Sequence, residues 1–146
     1  MHWLADQLVA LHAKHQRYAD LRAGRSLGAS AAPTSEEHAA RAAFFGDLGQ
    51  LVTDIAGHEG VIATFAEHDG LLVAAAGAPD AAEALAAMAR SVVAPARRAA
   101  ATLGLGGLDQ MVMVGGRRKL ALVVVGDLSL GILAPADLRL ALLLKR

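Results

Sequence analysis

Several residues of this chain have types and spacings that could do chemistry, beginning with the histidines. His12 and His15 stand three apart on a helical run, and His58 and His68 flank a strand-like run. No spacing gathers the three or four ligands that a zinc site requires. Scattered surface histidines and no metal are therefore the expectation. Glu59, Glu67 and Asp69 could act as general acids or bases, yet each lies at a turn beside Gly or His, where polar residues belong. Ser91 and Ser129 fall inside apolar runs, and no nucleophile stands near a partnered base, so no catalytic residue is assigned. The run Gly115-Gly116-Arg117-Arg118-Lys119 has the composition of a phosphate cradle. It lacks the spaced second glycine, the Lys-Ser/Thr pair and the following helix of a P-loop. A solvated hairpin turn accounts for it, and no cofactor is expected. With Arg90, Arg97 and Arg98 these cations could touch nucleic acid, but the net charge is zero and only five residues are aromatic. Stacking platforms are lacking, so no nucleic acid is expected. Cysteine is absent, which excludes disulfides, thiolate catalysis and cysteine-bound zinc.

The elements that must position these residues follow from periodicity. Leu4, Leu8, Leu11, His15 and Tyr18 alternate by four and three within residues 3–22. That is a helical stripe, too short for an independent coiled coil, which must pack on the domain or on its copy. Residues 24–35, rich in Gly, Ala and Ser, read as a flexible connection, so the core is expected not to depend on the first helix. Thr34 with Glu37 fits a capping box, and a second helix runs from there through Phe44, Leu48, Leu51, Val52 and Ile55 to Gly57. Gly46 and Gly49 weaken it by about 1 kcal/mol each relative to alanine, which suggests a break or a close helix contact. Strands at 61–67 and 71–76 enclose His68-Asp69-Gly70, and Asp-Gly between two such runs signals a hairpin. A third helix starts near Pro79. Its stripe is Leu85, Met88, Val92, Ala96, Ala99 and Leu103, with a kink expected at Pro95. Strands at 108–114, 119–125 and 128–134 are apolar on both faces, as in a sheet covered by helices on both sides. A last helix is expected at 136–144.

Composition sets the outer bounds. Hydrophobic residues make up 55% of the 146 and charged residues 19%, ample for a buried core. The charge is uneven: residues 1–89 hold five Lys/Arg against eleven Asp/Glu, and residues 90–146 hold nine against three. Mutual neutralisation within one fold explains this most simply. The start carries Asp6 and histidines rather than a cationic end and an unbroken apolar run, unlike a secretory signal. Asp127, Asp137 and Arg139 interrupt the apolar C-terminal stretch, so no membrane span is expected. The residues thus describe a soluble cytoplasmic α/β (α+β) protein: a helical extension and linker at 1–34, then a domain at 35–146 with a five-stranded, mostly antiparallel sheet between helices.

From residue 47 onward the order is one helix, two strands, one helix, three strands, one helix. This order resembles the roadblock family, the dynein light chain relatives. The likeness is carried by His58-Glu59-Gly60-Val61, Glu67-His68-Asp69-Gly70-Leu71-Leu72, the Ala-rich helix at 80–101, Leu103-Gly104-Leu105-Gly106, and the closing hairpin around Gly126-Asp127. Residues 1–34 have no counterpart in the minimal family domain, and Pro95 departs from its continuous central helix. The resemblance implies a homodimer in which the 80–103 helices pack together and the 108–114 strands pair edge to edge. Leu85, Met88, Ala89, Val92, Ala96, Met111, Val112 and Met113 would form that interface, the alanines permitting close approach and the methionines an adaptable apolar surface. It further implies a non-catalytic scaffold or regulator of a Ras-like small GTPase, stimulation of GTP hydrolysis included, with Arg90, Arg97 and Arg98 as partner contacts. The alternative is a structural adaptor dimer that tethers other proteins without a GTPase.

Overall fold

A computed structural model describes residues 2–26, 34–77 and 82–140. Most of the expected linker at 24–35, the start of the third helix at Pro79 and residues 141–144 lie outside the described residues. Where the last helix is expected, at 136–144, residues 136–139 are not helical: they follow β5 in a turn that the Leu138 N–H closes by donating to the Pro135 carbonyl at 3.1 Å. The side chains of Leu4 and Leu8 do too.

In chain order the elements are α1 (His2–Ser26), α2 (Ser35–Ala56), β1 (Ala63–His68), β2 (Leu71–Gly77), α3 (Ala82–Thr102), β3 (Gln110–Val114), β4 (Arg118–Val125) and β5 (Leu128–Pro135). The local reasons for them are visible. Thr34 keeps an extended backbone and its hydroxyl oxygen accepts from the Glu37 N–H at 3.2 Å, which satisfies one orphan donor of α2. Gly57 closes the helix by donating to the Thr53 carbonyl at 3.0 Å. Between them α2 runs unbroken through Gly46 and Gly49, and a Cβ at either would meet nothing within 4 Å. The expected break or close contact is not there. The buried stripe Phe44, Leu48, Leu51, Val52 and Ile55 outweighs the weak propensity of two glycines.

The first hairpin turns as the Asp-Gly pair demands. Asp69 and Gly70 take φ of 56° and 81°, the two left-handed residues of a tight turn that matches strand twist. The five strands form one antiparallel sheet in the order β2-β1-β5-β4-β3. His68 pairs with Leu128, so the β1–β2 and β4–β5 turns lie at the same end of the sheet. A hydrogen bond from the Asp69 N–H to the Asp127 carbonyl, at 3.4 Å, joins them.

Residues alternate between two cores, as strand period requires. One face carries Ala66, Ala121, Val123, Leu128, Leu130 and Ile132 against α2. The other carries Phe65, Leu120, Leu122 and Val124 against Ala86, Ala89 and Val93 of α3. Gly131 lies under the Phe65 ring, where a Cβ would overlap it. Leu11 of α1, 4% exposed, belongs to the first core with Phe44 and Leu48. The N-terminal helix therefore shares a core with the sheet. Lys14 pairs with Asp47, and Arg17 with Glu36 at 3.4 Å, tying α1 along α2. Helix α3 continues through Pro95, whose missing N–H leaves the Ser91 carbonyl without its usual helical partner. Among the described residues no helix is long and apolar enough to cross a membrane.

Candidate protein-binding surface

The residues expected to meet partners lie on α3 and β3. The division of α3 between core and solvent follows its period of 3.6: Ala82, Ala86, Ala89, Val93 and Ala100 are buried. Ala89 has no exposed area in the single chain and packs with Phe65 and Leu122. It lies beneath the surface, because its position in the stripe faces the sheet. Leu85, Val92 and Ala96 are half-buried, and Met88 is 48% exposed. Ala84, Ala87, Ser91, Ala94 and Pro95 are exposed beside it, a face of small side chains that leaves room for close approach. The Ser91 hydroxyl donates to the Ala87 carbonyl at 3.2 Å and has no base beside it.

Strand β3 pairs with β4 on one side and with no described strand on the other. Its residues split by face. Met111 and Met113 are half-buried against the α3-side core, whereas Val112 and Val114 are exposed, Val114 by 68%. An edge strand with open backbone groups and bare valines is a template for pairing with another chain. The turn after it, 115–117, closes with the Gly115 N–H donating to the Arg118 carbonyl at 2.8 Å; it is a hairpin turn and not a phosphate loop. Leu103 and Leu105, 71% and 72% exposed, are further bare apolar residues in the α3–β3 loop. Sequence reasoning named neither as an interface residue. The signal was apolar residues set among glycines that cannot continue a helix or a strand.

The three arginines divide. The Arg90 guanidinium donates to the Asp69 carbonyl and that of Arg97 to the Gly126 carbonyl, so each holds one of the two neighbouring hairpin turns. The heptad that puts them on one side of α3 aims them at the end of the sheet. Arg98 is exposed on the same helix. Glu67 is buried, and its carboxylate accepts from the Gly70 N–H at 2.5 Å, making it a brace for the first turn rather than an acid or base in solvent. The cleft shared by Glu67, Asp69, Arg90, Arg97 and Asp127 measures only about 140 Å³. That is below the size usual for small-molecule sites.

On the opposite face, the same end of the sheet meets histidines that the sequence left apart. The His15 ring lies 5.1 Å from the Phe44 ring and 4.4 Å from that of His68, centroid to centroid. The His12 ring presses on Gly126, whose φ of 58° and missing Cβ admit it. Burial lowers the His15 pKa below its ordinary 6.5, and the neighbouring His68 and His12 lower it further, against a smaller opposing pull from Asp127. The His15 ring is tilted by 52° to the Phe44 ring and to the His68 ring, and among the described residues no three His, Asp or Glu side chains are placed to hold a metal ion.

Comparisons with known proteins agree with this architecture. MglB from Myxococcus xanthus superposes with a TM-score of 0.62 at 18% identity, over 68% of this chain and 77% of that one. The Roadblock/LC7 domain of Streptomyces avermitilis gives 0.56 at 23% identity, over 62% and 78%. An MglB with a tetrameric arrangement gives 0.51 at 20%, over 69% and 75%. A search of curated proteins returned no match. The Roadblock/LC7 domain model matches residues 47–134, from the middle of α2 to the end of β5. By that match and by its strand order, this chain belongs to the Roadblock/LC7 family.

Proposed function

We propose that this chain is a non-catalytic homodimer that binds and regulates a Ras-like small GTPase. The observation that carries the proposal is the β3 edge, paired with no described strand on one side and with Val112 and Val114 bare, together with the exposed Met88 of α3 and Leu103 and Leu105 of the loop after it. Pairing two copies there would cover apolar area and satisfy open backbone groups in one step. The tetrameric arrangement named for one structural neighbour is consistent with assembly. The partner is inferred from family membership, and the exposed α3 face with Arg98 offers it a cationic contact. Arg90 and Arg97 also remain in this surface, each with part of its guanidinium engaged by a hairpin turn.

The test has two stages. Light scattering on the intact chain should give twice the mass of 15.0 kDa. Val112→Asp should lower it to the monomer without loss of the far-ultraviolet spectrum. Calorimetric titration with a neighbouring-gene GTPase should then give tighter binding in one nucleotide state, since only differential affinity regulates anything. Arg98→Glu should weaken that binding. Equal affinity for the GDP and GTP-analogue forms would remove regulation and leave the adaptor. A stable wild-type monomer would refute the dimer.

A further inference from the structure

We propose that α1 is a pH-sensitive clasp: His15, set against the Phe44 and His68 rings, holds it on the sheet while neutral and releases it when protonated. The observations are geometric. His15 is wedged between the Phe44 ring of α2 and the His68 ring of β1. His68 Nε2 is buried with no hydrogen-bond partner. His12 lies on the backbone of Gly126 at the β4–β5 turn, with Gln16 3.5 Å from its Nε2. Three elements thus contribute to one cluster, and α1 supplies two of the three imidazoles.

The charged groups facing the cluster do not offset a positive charge in it. From α1 come His12 and the neutral Gln16, from α2 the Phe44 ring, from β1 His68. Asp127 at the β4–β5 turn is the one carboxylate among the groups that act on His15, and its influence is smaller than those of burial and the two histidines. Lys14 and Arg17 of α1 are engaged with Asp47 and Glu36 along α2. A charge on His15 would therefore sit 4.4 Å from the His68 ring, in a site where burial already disfavours it.

The sign follows from linkage. His15 has its ordinary pKa of 6.5 when α1 is free and a lower one when α1 is docked. Docking is at full strength above pH 6.5, weakens as pH falls through 6.5, and levels off below the docked-state pKa. Each unit of depression is a tenfold change in the docking equilibrium. Release would uncover the Leu11 seat on Phe44 and Leu48 and free one side of the Gly126-Asp127 turn, whose other side is held by Arg97 of α3. Acidification at α1 would thereby reach the helix that carries the candidate interface.

Because the chain has no cysteine, labels can be placed at will. Spin labels on Asp20→Cys of α1 and Ala42→Cys of α2, both exposed, report their separation in the full chain. One narrow distance is expected at pH 7.5. At pH 5.0 a second, longer population should rise with the strand signal in circular dichroism unchanged, and His15→Phe with His68→Leu should abolish that rise. A wild-type distance that stays the same from pH 7.5 to 5.0 overturns the proposal. So does an equal response in the double variant, which would assign release to other groups, or loss of the sheet together with α1. Should the double variant fail to fold, nuclear magnetic resonance titration of wild type decides: the His15 ring must titrate below 6.5 and share its midpoint with the distance change. Separate midpoints refute the clasp.

Discussion

Leu11→Ala asks whether α1 is part of the cooperative fold. Leu11 is 4% exposed and packs with Phe44 and Leu48, so the substitution removes buried methyl groups and leaves a cavity between α1, α2 and the sheet. Such changes cost about 2–5 kcal/mol, and a central value of about 3 kcal/mol lowers Tm by roughly 6–12 °C in a chain of this size. The two α1–α2 ion pairs cannot mask this. Their side chains are 47–70% exposed, and exposed pairs contribute at most about 1 kcal/mol each. Val9→Ala is the control on the same helix: Val9 is 59% exposed and should change stability by less than about 0.5 kcal/mol. Urea unfolding followed by circular dichroism at 222 nm measures both. A Leu11→Ala midpoint within error of wild type would refute the shared core and restore α1 as a separable extension. Removal of residues 1–33 would then leave the melt of the domain unchanged, whereas a shared core makes the shortened chain melt at a lower temperature.

Two further outcomes follow from burial. Ala89→Glu places an unpaired carboxylate between α3, Phe65 and Leu122, so it should unfold the single chain by several kcal/mol rather than merely separate a dimer; a folded, monomeric variant by light scattering and circular dichroism would contradict the burial. Gly131→Ala forces a methyl group into the Phe65 ring and should cost about 1–3 kcal/mol in a chemical melt, recovered in part by Phe65→Leu. Equal losses with and without the second change would refute that contact.

The fold was legible where one local rule decides the backbone. Thr34 announced the start of α2, Asp69-Gly70 the first hairpin, and strands apolar on both faces a sheet covered on both sides. What was not legible depends on which residues the sheet brings together. His15 and His68 are 53 positions apart in sequence (68 minus 15), and no spacing rule could place their rings in contact. Glu67 read as a turn residue because its neighbours are polar; its burial follows from the side of β1 it shares with Phe65, under α3. Ala89 was assigned to an interface because alanine suits close helix packing, but it suits close packing on a sheet equally. Arg90 and Arg97 showed their shared side by periodicity. Only the positions of the two turns show what that side faces.

Those two arginines also make α3 a ruler. Seven residues of α-helix rise about 10.5 Å. In the order β2-β1-β5-β4 the midlines of the two hairpins lie two strand spacings apart, about 9.5 Å. The helical rise between the two arginine positions is therefore close to the spacing of the two turns that their guanidinium groups hold. One residue inserted between Arg90 and Arg97 would swing the second side chain by about 100° around the axis and leave one turn ungripped. Length is fixed in that part of α3, and the glycine-bearing loop after it, where Cβ atoms at Gly104, Gly106 and Gly107 would meet nothing, is where the chain has slack.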